Sequence, residues 1–242
     1  MTAASARRGA TGRRRPAPAR RRSGRFIVLE GLDGAGTTTQ SRLLADRLRG
    51  ARRRVHLTAE PSGGPVGALI RQVLTGRIGG ELPSSPRGAG GGDWRRQASF
   101  SPWALALLFA ADRHDHFDVE IAPKLAEGVD VVCDRFTLSS LAYQGVHLGD
   151  TPWVEAVNRE AADSDLVVFL RCRPEVALRR RFAVSLDREI FEVDAFQRRV
   201  ATSYERAIRR LRRAGERVVE VDGEAPVAEV AAAVWDAVRA VS

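Results

Sequence analysis

Short runs of apolar residues alternate along the chain with longer segments in which apolar residues recur every three or four positions. Five of the short runs are rich in β-branched side chains and are bounded by turn or charged residues: Phe26–Leu29, Val55–Thr58, Val129–Cys133, Leu166–Leu170 and Val218–Val221. Runs of this kind are typical of strands that are buried on both faces of a parallel sheet. They predict five strands, of which Val55–Thr58 has the weakest pattern.

The segments between the predicted strands have the spacing of amphipathic helices. One apolar stripe consists of six residues, namely Val193, Phe196, Val200, Tyr204, Ile208 and Leu211. A second stripe runs from Val227 to Val241, and Pro174 suits the first turn of a helix that extends to about Phe182. Strands that alternate with helices predict an α/β fold, an open five-stranded parallel sheet with helices on both faces.

The positive charge of the chain is concentrated at its beginning. The 242 residues include 39 basic and 30 acidic side chains, which give a formal net charge of +9. Residues 1–24 contain eight arginines and no acidic residue, whereas the remainder is almost balanced. A segment with so few apolar groups cannot offset its ordering entropy by burial, so we expect a disordered leader before a domain at residues 25–242. Nucleic-acid binding through this leader is the less favoured alternative.

Composition excludes several classes of protein. No apolar run approaches the ~18 residues that a membrane-spanning helix needs. Two cysteines, Cys133 and Cys172, are too few for a disulfide framework or a zinc cluster, and they predict reduced thiols in a cytoplasmic protein. Residues 79–101 are rich in glycine, proline and serine without any periodicity, which predicts a flexible surface loop.

A glycine-rich turn follows the first predicted strand and precedes a helical pattern. Gly31, Gly36 and Thr38 fit the phosphate-loop pattern G-x-x-x-x-G-K-[ST], but Thr37 occupies the lysine position. Glycines in this context allow backbone N–H groups to converge on phosphate oxygens at a helix N-terminus. The loop alone leaves two interpretations open, a nucleotide-binding loop and an ordinary turn.

Three further segments occur in a fixed order after this loop. Residues 107–116 read LLFAADRHDH, residues 131–145 read VVCDRFTLSSLAYQG, and residues 187–192 read DREIFE. Together with the loop, they resemble the thymidylate kinase (dTMP kinase) family from Arg25 to Ser242. The resemblance implies a P-loop NTPase fold with a mobile lid at residues 179–192. It also implies a homodimer that transfers the γ-phosphoryl group of ATP to dTMP, with Mg²⁺, in dTTP synthesis.

The resemblance assigns the glycine-rich loop to ATP. The nine residues concerned are Gly31, Leu32, Asp33, Gly34, Ala35, Gly36, Thr37, Thr38 and Thr39. Thr38 and Asp134 match positions that would bind Mg²⁺. The residues implied in catalysis are Asp33, Asp134, Arg135 and Arg188.

Eight residues match positions that contact dTMP in the family: Asp33, Arg71, Phe109, Arg113, Arg135, Ser140, Tyr143 and Gln144. The resemblance implies that an aromatic ring stacks on thymine at Phe109 and that Arg113, Ser140 and Gln144 contact the base. Arg71 and Arg135 would bind the phosphate, since the arginine fork suits phosphate geometry. Tyr143 would crowd the 2′ position and disfavour ribose.

Several of these residues have a structural alternative. Phe109 lies in an apolar helical pattern, where a phenylalanine usually belongs to the core. Arg113 could form a surface ion pair with Asp112 or Asp115, which would contribute little. Arg71 could simply be exposed on its helix. These alternatives are decided by where each side chain lies.

The missing lysine requires a second source of positive charge. A threonine hydroxyl at position 37 offers a neutral hydrogen bond of roughly 0.5–1.5 kcal/mol net in place of a full charge. The resemblance implies that arginines of the lid supply this charge, from the set Arg179, Arg180, Arg181 and Arg188, with Arg188 as the first candidate. The alternative for the Arg179–Arg181 run is a solvated helix face.

Two other functions are compatible with the sequence. One is a related kinase with a different acceptor, such as dUMP or a deoxynucleoside. The other is a nucleotide-binding homologue whose turnover is weakened by the loss of the lysine. A substrate panel separates the first from a dTMP kinase, and calorimetry combined with product analysis separates the second.

Overall fold

Five strands form one parallel sheet in the order β2-β3-β1-β4-β5. The computed structural model describes residues 24–78, 100–181 and 189–241. The strands are β1 Phe26–Gly31, β2 Val55–Ala59, β3 Asp130–Asp134, β4 Leu166–Arg171 and β5 Val218–Asp222. The α/β fold and all five predicted strands are confirmed.

Helices connect the strands and cover the sheet. They are α1 Thr37–Gly50, α2 Pro65–Leu74, α3 Pro102–His116, α4 Ala122–Ala126, α5 Thr137–Leu148, α6 Thr151–Val157, α7 Pro174–Arg181, α8 Glu189–Arg213 and α9 Val227–Arg239. A π-helical turn, Phe117–Ile121, joins α3 to α4. Helix α1 packs against α9, and α5 packs against α8. Strands β1 and β3 are buried along their whole length, as expected for a sheet covered on both faces.

The strands differ from the prediction mainly at their carboxyl ends. Polar residues continue the ladder there beyond the predicted apolar runs. Asp134 pairs with Leu29, and Arg171 pairs with Asp222. At the other end of β3, the strand begins at Asp130 and not at Val129. Strand β2 lies at an edge and is only half-buried, which explains the weaker apolar pattern of its sequence.

The predicted helical stripes lie largely against the core, but Val227, the first residue of the second stripe, is exposed. Val200, Tyr204 and Ile208 of α8 are buried, and α9 ends at Arg239, before the predicted Val241. Cys133 and Cys172 are buried thiols without a disulfide, as predicted. None of the helices in the described ranges has the length and apolar character that crossing a membrane requires.

Three predictions fall wholly or partly outside the described residues. They are the leader up to residue 23, the surface loop over residues 79–99, and residues 182–188 of the lid. Helix α7 is described to its end at Arg181, so three of the four lid arginines can be placed.

Candidate active site

The glycine-rich loop runs from the end of β1 to the start of α1. Its backbone has φ of +92° at Gly34 and +99° at Gly36, a region that residues with a side chain rarely adopt. A Cβ atom on Gly34 would lie 2.2 Å from the carbonyl oxygen of Ala177, so the loop packs directly against the backbone of α7. The N-terminus of the 14-residue helix α1 faces the same space and is suited to bind an anion.

A hydroxyl and a carboxylate meet beside this loop. Thr38 Oγ1 donates to Asp134 Oδ2 at 2.5 Å, and Asp134 is only 8% exposed. The second carboxylate oxygen, Asp134 Oδ1, is buried and has no hydrogen-bond partner among the described residues. Oxygen donors of this kind fit Mg²⁺, which binds through one or two protein groups together with phosphates and water. No larger cluster of potential metal ligands occurs in the described ranges.

Two arginines bind one aspartate at the mouth of the loop. Arg135 Nη2 lies 2.7 Å from Asp33 Oδ1, and Arg181 Nη1 lies 2.9 Å from Asp33 Oδ2. Tyr143 adds to this arrangement, because its hydroxyl accepts the Asp33 N–H at 2.9 Å and its ring lies under the Arg135 guanidinium. The cluster therefore joins groups from the loop, from the β3–α5 connection, from α5 and from α7.

Two cavities adjoin this cluster. The larger, about 690 Å³, is bounded by the glycine-rich loop, by Arg180 and Arg181 of α7 and by the start of α9. The smaller, about 310 Å³, has a largely apolar lining that includes Phe109. Asp33 and Arg135 line both cavities. A molecule in one cavity can therefore meet a molecule in the other at this ion pair.

Most of the predicted dTMP residues lie around the smaller cavity. Besides Asp33 and Arg135, five of them line it, namely Phe109, Arg113, Ser140, Tyr143 and Gln144, and the neighbouring Ser139 lines it as well. Phe109 is partly buried at the cavity wall and packs against the α2–α3 core cluster as well. Its two interpretations, core residue and ring partner, are therefore compatible.

Arg113 is buried, so the alternative of a surface ion pair with Asp112 or Asp115 is wrong. Its guanidinium donates to Glu60 Oε2 at 2.6 Å and to Ser140 Oγ at 3.0 Å. Asp112 instead accepts the backbone and side-chain donors of Ser62. Arg113 thus links the β2–α2 connection to α5 across the cavity wall.

Arg71 is the predicted dTMP residue that does not line the smaller cavity, and the predicted residues Gly31, Leu32 and Asp134 likewise belong to neither lining. The Arg71 side chain donates to the carbonyl oxygens of Pro61 and Ser62 and is not part of either lining. Arg188 lies outside the described residues. Of the other lid arginines, Arg180 and Arg181 line the larger cavity, which favours a role beyond a solvated helix face.

Sequence reasoning did not single out Glu30, Glu60 or Tyr204. Glu30 is fully buried beside the glycine-rich loop, and burial raises its pKa to about 7 against the opposing hydrogen bonds of Ser139 and Phe136. A charged residue that ends an apolar strand run was the available signal. Tyr204 matched the apolar stripe of α8, so nothing distinguished it from an ordinary core residue.

Comparison with known proteins gives a consistent result. A sequence model of the family described as "Thymidylate kinase" matches residues 29–83 and 94–234. A "Putative thymidylate kinase" of Aeropyrum pernix is 39% identical over 200 residues, which cover 82% of this chain and 86% of the relative. A "Thymidylate kinase" of Pelotomaculum thermopropionicum is 43% identical over 75% of this chain and 78% of its own length. A "Thymidylate kinase" of a Synechococcus strain is 38% identical over 88% and 94%, respectively.

Proposed function

Since this chain belongs to the thymidylate kinase family and phosphorylates dTMP to dTDP with ATP, we propose that the larger cavity binds ATP and the smaller one binds dTMP. The observation that carries this assignment is that Asp33 and Arg135 line both cavities. Phosphoryl transfer requires the donor and acceptor phosphates to meet in line, with their charge stabilised. The shared ion pair marks the place where they meet.

The donor side is formed by main-chain groups. The backbone amides from Gly34 to Thr38 would hold the β- and γ-phosphates at the N-terminus of α1. Thr38 and Asp134 would hold Mg²⁺, which neutralises phosphate charge when bound. The buried Asp134 Oδ1, which has no partner among the described groups, supports this role.

The acceptor side combines an aromatic wall with guanidinium groups. Phe109 would stack on the base, while Arg113, Ser140 and Gln144 would contact its edge. Arg135 would bind the dTMP phosphate with its fork, in exchange for part of its contact with Asp33. The acceptor is already an anion, so no general base is required. Arg71 would have to leave the carbonyl groups it binds before it could reach the phosphate.

A coupled assay with ATP, Mg²⁺ and dTMP tests the function directly. We expect dTDP formation, with much lower kcat/KM for dUMP and for thymidine. A preference for one of these acceptors would favour the related kinase, and dTMP binding by calorimetry without dTDP would favour the inactive homologue. Omission of Mg²⁺ should abolish turnover. We also propose a homodimer, by analogy with the family, and sedimentation at catalytic concentration tests it.

The lid arginines can replace the lysine that this loop lacks. Thr37 is 5% exposed and lines the ATP cavity together with Arg181, whose guanidinium reaches Asp33 in that cavity. We expect Arg181→Ala to lower kcat and Thr37→Lys to restore much of that loss, because both cations would serve the same phosphates. Arg188→Ala, alone and combined with Thr37→Lys, tests in the same way whether Arg188 supplies the missing charge.

The rescue identifies the arginine concerned. If Thr37→Lys rescues only one of the two alanine variants, that arginine carries the missing charge. An unchanged rate in Arg188→Ala would exclude it, and two losses that simply add to the effect of Thr37→Lys would refute charge replacement altogether. Arg179→Ala, which removes an arginine from the same helix that is not part of the cavity lining, is the matched control.

A further inference from the structure

Glu30 has an environment that no function above uses. It is fully buried near the end of β1, and its two carboxylate oxygens accept four hydrogen bonds. Oε1 accepts the backbone N–H groups of Phe136 and Ser139 at 2.9 and 3.1 Å. Oε2 accepts the hydroxyls of Ser139 and Tyr204 at 2.5 and 3.3 Å. All these donors belong to the start of α5 or to α8.

The carboxylate acts as the N-terminal cap of α5. Phe136, the residue before this 12-residue helix, provides no side-chain cap of its own. The first N–H groups of a helix need acceptors, and negative charge is favourable at that end. Glu30 supplies both from a neighbouring strand, so it fixes the position of α5 relative to β1.

Arg135 lies at the point that this cap controls. Its backbone has φ of +74°, which is uncommon for a residue with a side chain. The Arg135 N–H bonds the Leu29 carbonyl at 2.9 Å, and the next N–H, that of Phe136, bonds Glu30. Ser139 Oγ donates to Glu30 and accepts from Arg135 Nη1 at 3.3 Å. Glu30 is therefore connected to Arg135 through both the backbone and a side chain.

Tyr204 extends the same cluster to the glycine-rich loop and to α8. Its one hydroxyl proton is shared between Glu30 Oε2 and the carbonyl oxygen of Gly31, which lies 3.1 Å away, and the hydroxyl oxygen lies 2.9 Å from Ser139 Oγ. Helix α8 begins at Glu189, inside the segment that the resemblance assigns to the lid. One buried cluster thus touches the start of the ATP loop, the arginine of the dTMP site and the helix that follows the lid.

We propose that Glu30 is a positioning residue, whose carboxylate, together with the Tyr204 hydroxyl, holds Arg135 and the glycine-rich loop in the relative geometry that aligns the two phosphates. The inference rests on the proposed assignment of Arg135 to the dTMP phosphate. A purely stabilising role fits less well, because a buried carboxylate with a raised pKa costs stability by itself. Such groups occur preferentially at functional sites.

Glu30→Gln tests the proposal, because it keeps the shape and places an NH₂ group where one carboxylate oxygen accepts hydrogen bonds. We expect kcat/KM for dTMP to fall about 10- to 100-fold, since small displacements of a phosphate-binding group have effects of that size. The dissociation constant of dTMP should rise with it, while circular dichroism stays unchanged. Tyr204→Phe should cause a smaller loss that does not add fully to that of Glu30→Gln.

Asp130→Asn is the matched control. Asp130 is an equally buried carboxylate, but it lies at the opposite end of the sheet and binds Arg25 and Arg53. We expect it to lower stability and leave kcat/KM within twofold of the wild type. The proposal is overturned if Glu30→Gln also stays within twofold, or if its loss is matched by Asp130→Asn at equal loss of stability.

Two further measurements keep the test decisive. If Glu30→Gln does not fold, Tyr204→Phe carries the test, and an unchanged kcat/KM in that variant overturns the proposal. Arg135→Ala separates this inference from its premise. If Arg135→Ala weakens dTMP binding and Glu30→Gln does not, only the positioning role fails, whereas an unaffected Arg135→Ala refutes the assignment of the dTMP site.

Discussion

The contact between the glycine-rich loop and α7 can be tested with a single methyl group. Gly34 and Gly36 both have positive φ, +92° and +99°, but they differ in surroundings. A Cβ on Gly34 would lie 2.2 Å from the carbonyl oxygen of Ala177, whereas a Cβ on Gly36 would have no atom within 4 Å. Gly34→Ala therefore adds an overlap to backbone strain, and Gly36→Ala adds strain alone.

The magnitudes follow from this difference. An alanine at positive φ costs roughly 1–3 kcal/mol, and both variants share that term. The overlap at Gly34 is with a main-chain oxygen, so no side-chain rotation relieves it, and the loop or α7 must move by about an ångström. Overpacking of this kind costs about 1–3 kcal/mol more. We expect Gly34→Ala to be less stable than Gly36→Ala by that second amount.

Urea unfolding of both variants without nucleotide measures the difference, and calorimetry measures the affinity for ATP. The free energy of unfolding distinguishes the variants better than ATP affinity does. Both glycines lie where the ATP phosphates would bind, so both substitutions should weaken ATP binding. Equal free energies of unfolding for the two variants would contradict the packing of the loop against α7. A Gly34→Ala variant as stable as the wild type would also contradict the strained backbone.

Two other predictions concern charged groups. Burial disfavours the ionised form of Asp130, but hydrogen bonds from Arg53 and Arg25 outweigh it and lower its pKa to about 2. A lowered pKa adds stability above pH ~4, about 1–2 kcal/mol after screening, and this stability is lost as the pH falls towards 2. The difference in unfolding free energy between the wild type and Asp130→Asn, measured by urea titration, should therefore narrow over that range. Arg135→Lys keeps the charge but loses the fork, and it should lower kcat/KM for dTMP about 10- to 100-fold in the coupled assay while KM for ATP stays near its wild-type value. An equal rise in both KM values would contradict the assignment of Arg135 to the acceptor.

The sheet was predictable mainly because its central strands, β1, β3 and β4, are buried on both faces. Such strands are nearly continuous apolar runs, whereas the half-buried edge strand β2 has the weakest pattern. The apolar runs stop short of the carboxyl ends because polar residues, such as Glu30 and Asp134, complete the ladder there. The apolar pattern stops before the carboxyl edge of the sheet, where the candidate site lies, so it underestimates the length of the strands at that edge.

The candidate site was predictable where its residues adjoin a strand in the sequence. The glycine-rich loop follows β1, Asp134 ends β3 and Arg135 follows it, and parallel strands bring such ends together. The partner of Arg113 was not predictable, because Glu60 is 53 residues away and meets it only after α3 has packed near the β2–α2 connection. The role of Tyr204 depends in the same way on how α8 packs against α5.

Under the proposal that lid arginines replace the loop lysine, charge reaches the phosphates from a different part of the fold. A lysine at position 37 would be fixed to α1 and would be present before the substrates bind. Here the cations on Asp33 come from two sides, Arg135 from the β3–α5 connection and Arg181 from α7. The charge at the meeting point of the two cavities therefore depends on where α7 lies relative to the loop. Because Gly34 packs against the backbone of that same helix, a displacement at this contact would change both the shape of the loop and the position of Arg181.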